Sequence, residues 1–205
     1  MKLFYSPNAC SLGIHFLLAE IGQPYTLEKV DFGAKAQYGA AFTAINPKSK
    51  VPVLQLEDGS VITEFPAIAF YLARANPGAK LLPEGFLAET RALELLDYLI
   101  ATVHMRGFTR IFRPEVFSPT PEDKEKVQAA GAKFIETGFA LLEPVLGAQK
   151  YILGEFSIVE SALFFLEYWA VNRAKIPMPA NFQAHYERLM ARPAAQATLA
   201  AEGLS

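Results

Sequence analysis

The segments with strand character lie in the first third of this chain, and helical periodicity dominates the rest. Residues 2–6 and 25–32 read as short strands, and residues 51–63 read as a hairpin that turns at Asp58-Gly59. A helix-length segment separates the first two strands, so we expect them to pair in parallel. Apolar residues at helical spacing predict a helix in that segment, a short one near residue 40 and another from residue 64 onward. The predicted order is βαβ-α-ββα.

The strand pattern ends near residue 76, which predicts two domains. Residues 1–77 form the predicted α/β domain and residues 78–85, rich in Pro and Gly, a linker. Residues 86–205 are predicted to be all helical, with long helices at 86–112 and 122–147 followed by shorter ones.

Two helix starts in the second part carry local signals. Ser157 and Glu160 stand three residues apart before an apolar run, which is the pattern of a capping box. Pro193 suits the first position of the last helix, where the backbone N–H has no partner to lose. Both features are expected to fix helix ends.

Composition excludes several classes of protein. Hydrophobic residues make up 52% and charged residues 20%, which is incompatible with disorder, and a net charge of −2 offers no attraction to nucleic acid. One cysteine and three histidines without ligand spacing predict no metal site and no internal disulfide. No apolar stretch has the length of a signal sequence or a membrane span, so we expect a cytoplasmic protein without membrane association.

Cys10 follows the loop "SPNA" and opens the first predicted helix. The N–H groups at a helix start favour a thiolate, and the thiolate is the nucleophilic form. Two interpretations stay open: a reactive thiol, or a small, buried and inert residue. Tyr5 and Ser11 flank Cys10, and either hydroxyl is an alternative donor to the thiolate of a bound substrate.

The segment "INPKSKVPVLQLEDGSVITEFPAI" combines a proline at a strand start with a carboxylate at a helix start. A cis Val51-Pro52 bond would aim the backbone of Val51 at a cleft, whereas an ordinary trans bond has no functional meaning. Glu64 complements the dipole of the helix that it begins, and it is also suited to a ligand's ammonium group. The helix N–H groups nearby are suited to a carboxylate, so an amino-acid-like ligand is chemically sensible here.

The long helix at 86–112 carries a mixed polar and aromatic face. At 3.6 residues per turn, this face contains Asp97, Ala101, His104 and Phe108. It fits either the wall of a cleft between two domains or a solvated helix edge. A histidine can hydrogen-bond a thiol, which makes His104 a candidate site residue, whereas His15 and His185 are expected to be structural or exposed.

Together these segments resemble the glutathione S-transferase family, most closely its bacterial beta-type branch. The resemblance spans the chain and rests on "KLFYSPNACSLG", "INPKSKVPVL", "TEFPAIAFYLA", "VHMRGF", "GEFSIVESALF" and "MARPA", in that order. It implies a thioredoxin-like first domain, an all-helical second domain and a homodimer. It also implies a glutathione site on the first domain and a hydrophobic co-substrate site between the two.

The resemblance assigns roles to individual positions. Cys10 matches the thiol that contacts the glutathione sulfur, and His104 matches the histidine that closes the site near that sulfur. The other matching positions are Lys35 near the glycine end, Val51 and Pro52 beside the cysteinyl unit, Glu64 and Phe65 at the γ-glutamyl end, and Asp97 towards the partner subunit's ligand.

This chain departs from the family pattern after Glu64. The family often has Ser or Gly and then a small residue, but here Phe65 lacks the hydroxyl and Pro66 lacks a backbone N–H. Binding of the γ-glutamyl carboxylate is therefore expected to be weaker or shifted onto other groups. The match near Arg106 slips by about one residue, which leaves its role open, and Glu160 stands where Asp is usual.

The implied function is a glutathione transferase of detoxification, which ionises the glutathione thiol and directs it at small hydrophobic electrophiles. Ser11 is expected to help to stabilise that thiolate. Cys10 either hydrogen-bonds the thiolate or forms a mixed disulfide that supports thiol-transferase or peroxidase activity. Periodicity proposes Phe108, Ile111 and Phe112 for the co-substrate pocket, with glutathione as the co-substrate and no metal. The alternative is a non-catalytic protein that binds glutathione or apolar ligands, or docks to a partner, on the same scaffold.

Overall fold

The computed structural model describes residues 1–204 and divides the chain into two compact units. The first unit comprises Met1–Leu81 together with the last residues from Met190 onward, and the second comprises Leu82–Leu189. The first unit contains the sheet, and the second is helical.

A four-stranded mixed sheet forms the centre of the first unit. Its strands are β1 (Lys2–Tyr5), β2 (Thr26–Lys29), β3 (Val53–Gln55) and β4 (Val61–Thr63). They lie in the order β2-β1-β3-β4, with β1 and β2 parallel and the other neighbours antiparallel. The parallel pair and the hairpin at Asp58-Gly59 are as predicted, and Gly59 has the positive φ of 85° that the tight turn requires.

The helices that cover this sheet are α1 (Ser11–Ile21), α2 (Ala40–Thr43) and α3 (Phe65–Ala75). The helix α1 ends at Gly22, which adopts a left-handed φ of 73° and donates its N–H to the carbonyl of Leu18. The apolar residues predicted for its inner face, Ile14, Leu17 and Leu18, are fully buried. On another part of the sheet, a compact apolar cluster contains Phe4, Val30, Phe42, Val51 and Val53. Val51, one of the residues proposed for the glutathione site, is therefore part of the core.

In the second unit, a continuous helical run covers the predicted 86–112. It consists of α4 (Phe86–Tyr98), a π-helical segment (Leu99–Phe108) and α5 (Thr109–Phe112). The following helices are α6 (Lys124–Leu146), α7 (Ile158–Trp169) with a π-helical extension (Ala170–Ala174), and α8 (Ala180–Met190). The helix α7 is the centre of this unit, since all 12 of its residues are buried.

The capping box that starts α7 is present as predicted. The hydroxyl of Ser157 accepts the N–H of Val159 at 3.2 Å, and the carboxylate of Glu160 accepts the N–H of Ser157 at 2.7 Å. Glu160 also accepts the N–H of Ile152 at 2.9 Å, so this fully buried carboxylate ties the preceding turn to the helix.

The π-helical segment was not foreseen, and it changes which residues share a face. A π-helix closes i→i+5 hydrogen bonds, so the spacing of an α-helix no longer places residues on a common side. Asp97 and Ala101 are exposed, whereas Phe108 is fully buried. The prediction that these residues share one face with His104 is therefore wrong.

The last helix, α9 (Pro193–Glu202), starts with Pro193 as predicted but groups with the first unit. It packs against α1, and its Glu202 pairs with His15 on that helix. The last helix was predicted to belong to the helical domain, but its contacts place it in the first unit. The pairing with α1, which is distant in sequence, decides where it packs. The predicted linker also starts within the first unit, where Pro77–Ala79 form a 3₁₀ turn.

Within residues 1–204, no helix has both the length and the apolar character needed to cross a membrane.

Candidate active site

The sheet register brings three loop segments of the first unit to one end. Phe4 of β1 and Thr63 of β4 both pair with Val53, the first residue of β3. The chain leaving β1, the chain entering β3 and the chain leaving β4 therefore meet there. These segments carry Cys10, the Val51-Pro52 bond and Glu64, so the sheet assembles three of the predicted site positions.

Cys10 occupies the N-cap of α1, and its sulfur faces the segment before β3. Its Sγ donates to the carbonyl oxygen of Val51 at 3.4 Å, and the Val51-Pro52 peptide bond is cis. Burial raises the pKa of the Cys10 thiol to about 12, although the backbone N–H groups of Cys10 and Ser11 lower it. Of the two interpretations left open for Cys10, the raised pKa favours the protonated thiol over the thiolate in the protein without ligand, because desolvation outweighs the helix start. The geometry of Cys10 is that of a hydrogen-bond donor.

Ser11 follows this cysteine in the chain, and its hydroxyl is bonded within the protein. Its side chain is fully buried. Its hydroxyl accepts the N–H of Ser6 at 3.2 Å and donates to the carbonyl of Ser6 at 3.3 Å. The structure thus gives Ser11 a role in closing the loop before α1, in contrast to its predicted catalytic role.

A buried carboxylate from the last helix holds the same loop. Glu202 accepts the backbone N–H of Asn8 at 2.9 Å through Oε2, and its Oε1 lies 2.9 Å from Nδ1 of His15. The side chains of His15 and Glu202 are 1% and 0% exposed, and Asn8 has a positive φ of 59°. Sequence reasoning missed Glu202 because no local pattern links it to residues 187 positions away. It foresaw His15 only as structural or exposed.

Glu64 lies at the N-cap of α3 with its carboxylate exposed to water. The ammonium group of Lys48 lies 2.5 Å from its Oε1 and 2.6 Å from the hydroxyl of Thr63. The negative charge of Glu64 also raises the pKa of the Cys10 thiol and so opposes its ionisation. Phe65 is buried at the first position of the helix, so its side chain contributes packing and no hydroxyl.

Lys35 lies on the surface of the first unit, in front of a 3₁₀ turn, with a left-handed φ of 55°. Neither its charge nor that of Lys48 is buried, so both are accessible to a ligand.

The predicted residues of the second unit have different surroundings. His104 is partly buried, and its ring stands edge-on to Phe165 and Trp169 at 5.5 and 5.3 Å between centroids. Asp97 is exposed near the end of α4. The guanidinium of Arg106 lies 4.6 Å from the centre of the Phe134 ring, which is a packing role within this unit.

A cavity of about 410 Å³ lies where the long helical run ends and α6 begins. Ile111 and Phe112 line it, together with prolines of the intervening loop and the side chain of Lys124. Phe108 does not line it, because this ring is fully buried against Phe112 and Trp169. Of the three proposed pocket residues, two therefore lie on a cavity wall and one lies in the core.

The part of the chain that the structure describes contains no group of three or more His, Cys, Asp or Glu residues arranged to hold a metal ion.

A thioredoxin-like sheet with a cysteine at the first helix and a cis-proline before the third strand defines a class of proteins that handle thiol compounds. Comparisons with known proteins identify the family within that class. A family model described as the glutathione S-transferase N-terminal domain matches residues 8–75. Glutathione S-transferase GstA of Escherichia coli O157:H7 is 37% identical over 100% of both chains.

Solved structures agree with this result. A sphingomonad glutathione S-transferase complexed with glutathione is 34% identical, with a TM-score of 0.84 over 100% of both chains. A bacterial beta class glutathione S-transferase of Sphingomonas chungbukensis is 33% identical, with a TM-score of 0.85 over the same coverage. The chain belongs to the glutathione S-transferase family, and it is an enzyme with that fold.

Proposed function

We propose that this glutathione S-transferase is of the beta type and uses glutathione as its co-substrate, bound on the first unit. One observation carries the proposal: the Cys10 thiol lies 3.4 Å from the Val51 carbonyl beside a cis-proline, at the sheet end that also carries Glu64. An extended peptide placed along Val51 would pair with its backbone like another strand. Its thiol would then lie at the start of α1, and its ammonium group near Glu64.

In this arrangement the thiol of glutathione, and not that of Cys10, is the nucleophile. The high pKa of Cys10 keeps its proton in place, so its single S–H can leave the Val51 carbonyl and donate to the glutathione thiolate. The positive end of α1 adds a favourable potential for the same negative charge. The glutathione thiol loses its proton to solvent, and the thiolate attacks an electrophilic carbon and displaces the leaving group. A product thioether results.

The neutral Cys10 thiol also argues against the redox alternative. A mixed disulfide between Cys10 and glutathione requires a thiolate as the attacking group. Burial disfavours that form here. We therefore favour the donor role over the thiol-transferase role.

Substitution of Cys10 tests this choice. In Cys10→Ala the donor is lost, and we expect the conjugation rate with chlorodinitrobenzene to fall by about tenfold, the scale of one hydrogen bond to a charged group. Cys10→Ser keeps a donor, so its rate should stay within about threefold of the wild type. The alkylation of Cys10 by iodoacetamide should show no inflection between pH 6 and pH 9, because burial keeps its pKa far above that interval. Equal rates in both variants, or an inflection near neutral pH, would contradict the donor role.

Ile111 and Phe112 are proposed to bind the apolar co-substrate, since they line a cavity within the range of ligand pockets. His104, fixed by two aromatic ring edges, is proposed to close the site near the sulfur. Substitution of Ile111 by Ala should raise the KM for chlorodinitrobenzene while leaving the KM for glutathione unchanged. A change confined to the KM for glutathione would contradict this assignment.

The assembly is proposed to be a homodimer in the cytoplasm, where a reducing medium keeps Cys10 and glutathione as thiols. Phe86 and Leu87 support an interface, because their side chains are exposed at 88% and 68% at the start of α4. Asp97 is then expected to reach the ligand of the partner subunit. Light scattering should give the mass of two chains, and Asp97→Asn should weaken glutathione binding. A single-chain mass in the active enzyme would contradict both statements.

A further inference from the structure

We infer that Lys48 and Glu64 act together as a receptor for the zwitterionic end of the ligand, with Lys48 taking the α-carboxylate of the γ-glutamyl group. The inference rests on the proposed glutathione site and adds to it a residue that determines specificity. Its starting point is the shortage of donors at the start of α3, where Phe65 has no hydroxyl and Pro66 has no N–H. A carboxylate arriving there meets fewer donors than a helix start with a hydroxyl and an N–H at these positions would offer, and another partner would strengthen its binding.

Lys48 is placed to be that partner. Its ammonium nitrogen lies 2.5 Å from Oε1 of Glu64 and 2.6 Å from Oγ1 of Thr63, at the end of β4 where α3 begins. The segment that carries it is held in place, because the buried side chain of Asn46 accepts the N–H of Lys48 at 3.1 Å and donates to the carbonyl of Lys50 at 2.7 Å. The charge thus lies on an ordered turn beside Glu64.

The pair has the charge pattern that an α-amino acid group requires. A zwitterion presents an ammonium and a carboxylate on the same carbon, and the protein presents a carboxylate and an ammonium in contact. When the ligand enters between them, Glu64 takes the ligand's ammonium and Lys48 takes its carboxylate. Each charge exchanges one opposite partner for another, so no ion is left without a counter-charge.

Exposure makes this exchange easy. The side chains of Lys48 and Glu64 are 49% and 62% exposed, and an ion pair in contact with water is weak. Lys48 also keeps the hydroxyl of Thr63 as a fixed point when it turns towards the ligand. If Lys48 only competed with the ligand for Glu64, the removal of Lys48 would strengthen glutathione binding, because the ligand's ammonium would then bind Glu64 more tightly. If Lys48 binds the ligand's carboxylate, its removal weakens glutathione binding.

Calorimetric titration with three ligands tests the inference. The ligands are glutathione, the analogue without the α-carboxylate (4-aminobutyryl-cysteinyl-glycine) and the analogue without the α-amino group (glutaryl-cysteinyl-glycine). We expect Lys48→Met to weaken glutathione by about 3- to 10-fold, the range of one charge-assisted contact at a partly exposed site. It should not weaken the decarboxylated analogue, and it should strengthen its binding where loss of the ion pair frees Glu64 for the ligand's ammonium. Lys48→Arg, which keeps the charge, should bind glutathione within about twofold of the wild type.

Two matched variants complete the design. Glu64→Gln should weaken glutathione but not the analogue that lacks the amino group. Lys133→Met, which removes another exposed lysine from α6, should alter none of the affinities. Lys48 is half exposed, so its variants are expected to fold, and unchanged thermal unfolding of Lys48→Met verifies this.

The outcomes separate this inference from the proposed function. If Lys48→Met binds glutathione as tightly as the wild type or more tightly, or weakens the decarboxylated analogue by the same factor, the role of Lys48 is overturned while the glutathione site stands. If the wild type itself binds no glutathione, the proposed function fails and this inference fails with it.

Discussion

Each unit of this enzyme contains one buried pair of a histidine and a glutamate, and the two pairs differ in what they connect. In the first unit, Nδ1 of His15 lies 2.9 Å from Glu202, and in the second unit Nδ1 of His185 lies 2.8 Å from Glu167. All four side chains are at most 1% exposed. The two pairs are alike in residue types, distance and burial.

The other atoms of the two pairs show the difference. The second oxygen of Glu202 accepts the N–H of Asn8, in the loop that leads to Cys10. By contrast, Oε2 of Glu167 and Nε2 of His185 have no hydrogen-bond partner among residues 1–204. The first pair is therefore connected to the candidate site by a hydrogen bond, whereas the second joins α7 to α8. A buried pair of this kind is thus expected to affect activity where it also hydrogen-bonds the backbone of the candidate site.

The largest effect is expected for Glu202→Ala. The substitution leaves His15 and the N–H of Asn8 buried without their acceptor, so the free energy of unfolding should fall by about 3–5 kcal/mol. The conjugation rate per folded molecule should also fall, because the loop that carries Cys10 loses its anchor. Chemical denaturation and the chlorodinitrobenzene assay measure the two effects.

The matched variant in the second unit is Glu167→Ala. It should destabilise the fold to a similar degree, since His185 is left buried without the carboxylate that pairs with it. Its folded molecules should keep the wild-type KM for glutathione and the wild-type conjugation rate. Equal losses of activity per folded molecule in both variants would erase the distinction between the pairs.

A smaller effect is expected from pH. Burial raises the pKa of Glu167 to about 7, and for His185 the charge and hydrogen bond of Glu167 outweigh burial and raise its pKa. The charge of Glu160 adds to the increase for both groups, and that of Arg188 opposes it. A raised pKa stabilises the fold below the unfolded value, and this contribution is lost as the pH rises through the folded value.

Both groups of the second pair therefore act in the same direction. The free energy of unfolding should fall by about 1–2 kcal/mol between pH 5.5 and pH 8.5. This is less than the sum for two independent groups, because the titrations of Glu167 and His185 are coupled. In Glu167→Gln one of the two titrating groups is absent, so the slope should be clearly smaller. Urea denaturation at several pH values measures this, and an increase in stability over the interval would show that the assigned direction is wrong.

The smallest effect is expected for Tyr25→Phe. The ring of Tyr25 stands edge-on to His15 at 5.7 Å between centroids, and the substitution keeps that contact. Both the stability, within about 0.5 kcal/mol, and the conjugation rate should be unchanged. A loss beyond that would mean that the Tyr25 hydroxyl, and not the ring contact, supports the first pair.

The sequence predicted the features of this fold that depend on neighbouring residues. The parallel strand pair, the turn at Gly59, the cap at Ser157 and the long run from residue 86 each have a local signal, and each is present. The π-helical segment lacks such a signal, so the predicted common face that included Phe108 was wrong.

For the site, the sequence supplied the positions but not their chemical state. Cys10, Pro52 and Glu64 were found from loop and helix signals together with the family resemblance, and the sheet brings them to one end. The raised pKa of the Cys10 thiol depends on burial, and the anchor at Glu202 depends on contacts between distant segments. Neither property is encoded in local spacing.

The proposed function requires that the start of α1 stabilise the thiolate of bound glutathione. Titration of the thiolate absorbance of glutathione in the presence of saturating enzyme tests it most directly. We expect the pKa of the glutathione thiol to fall by about 2 units on binding, equivalent to about 3 kcal/mol. A bound thiol that ionises at the same pH as in plain buffer would contradict it.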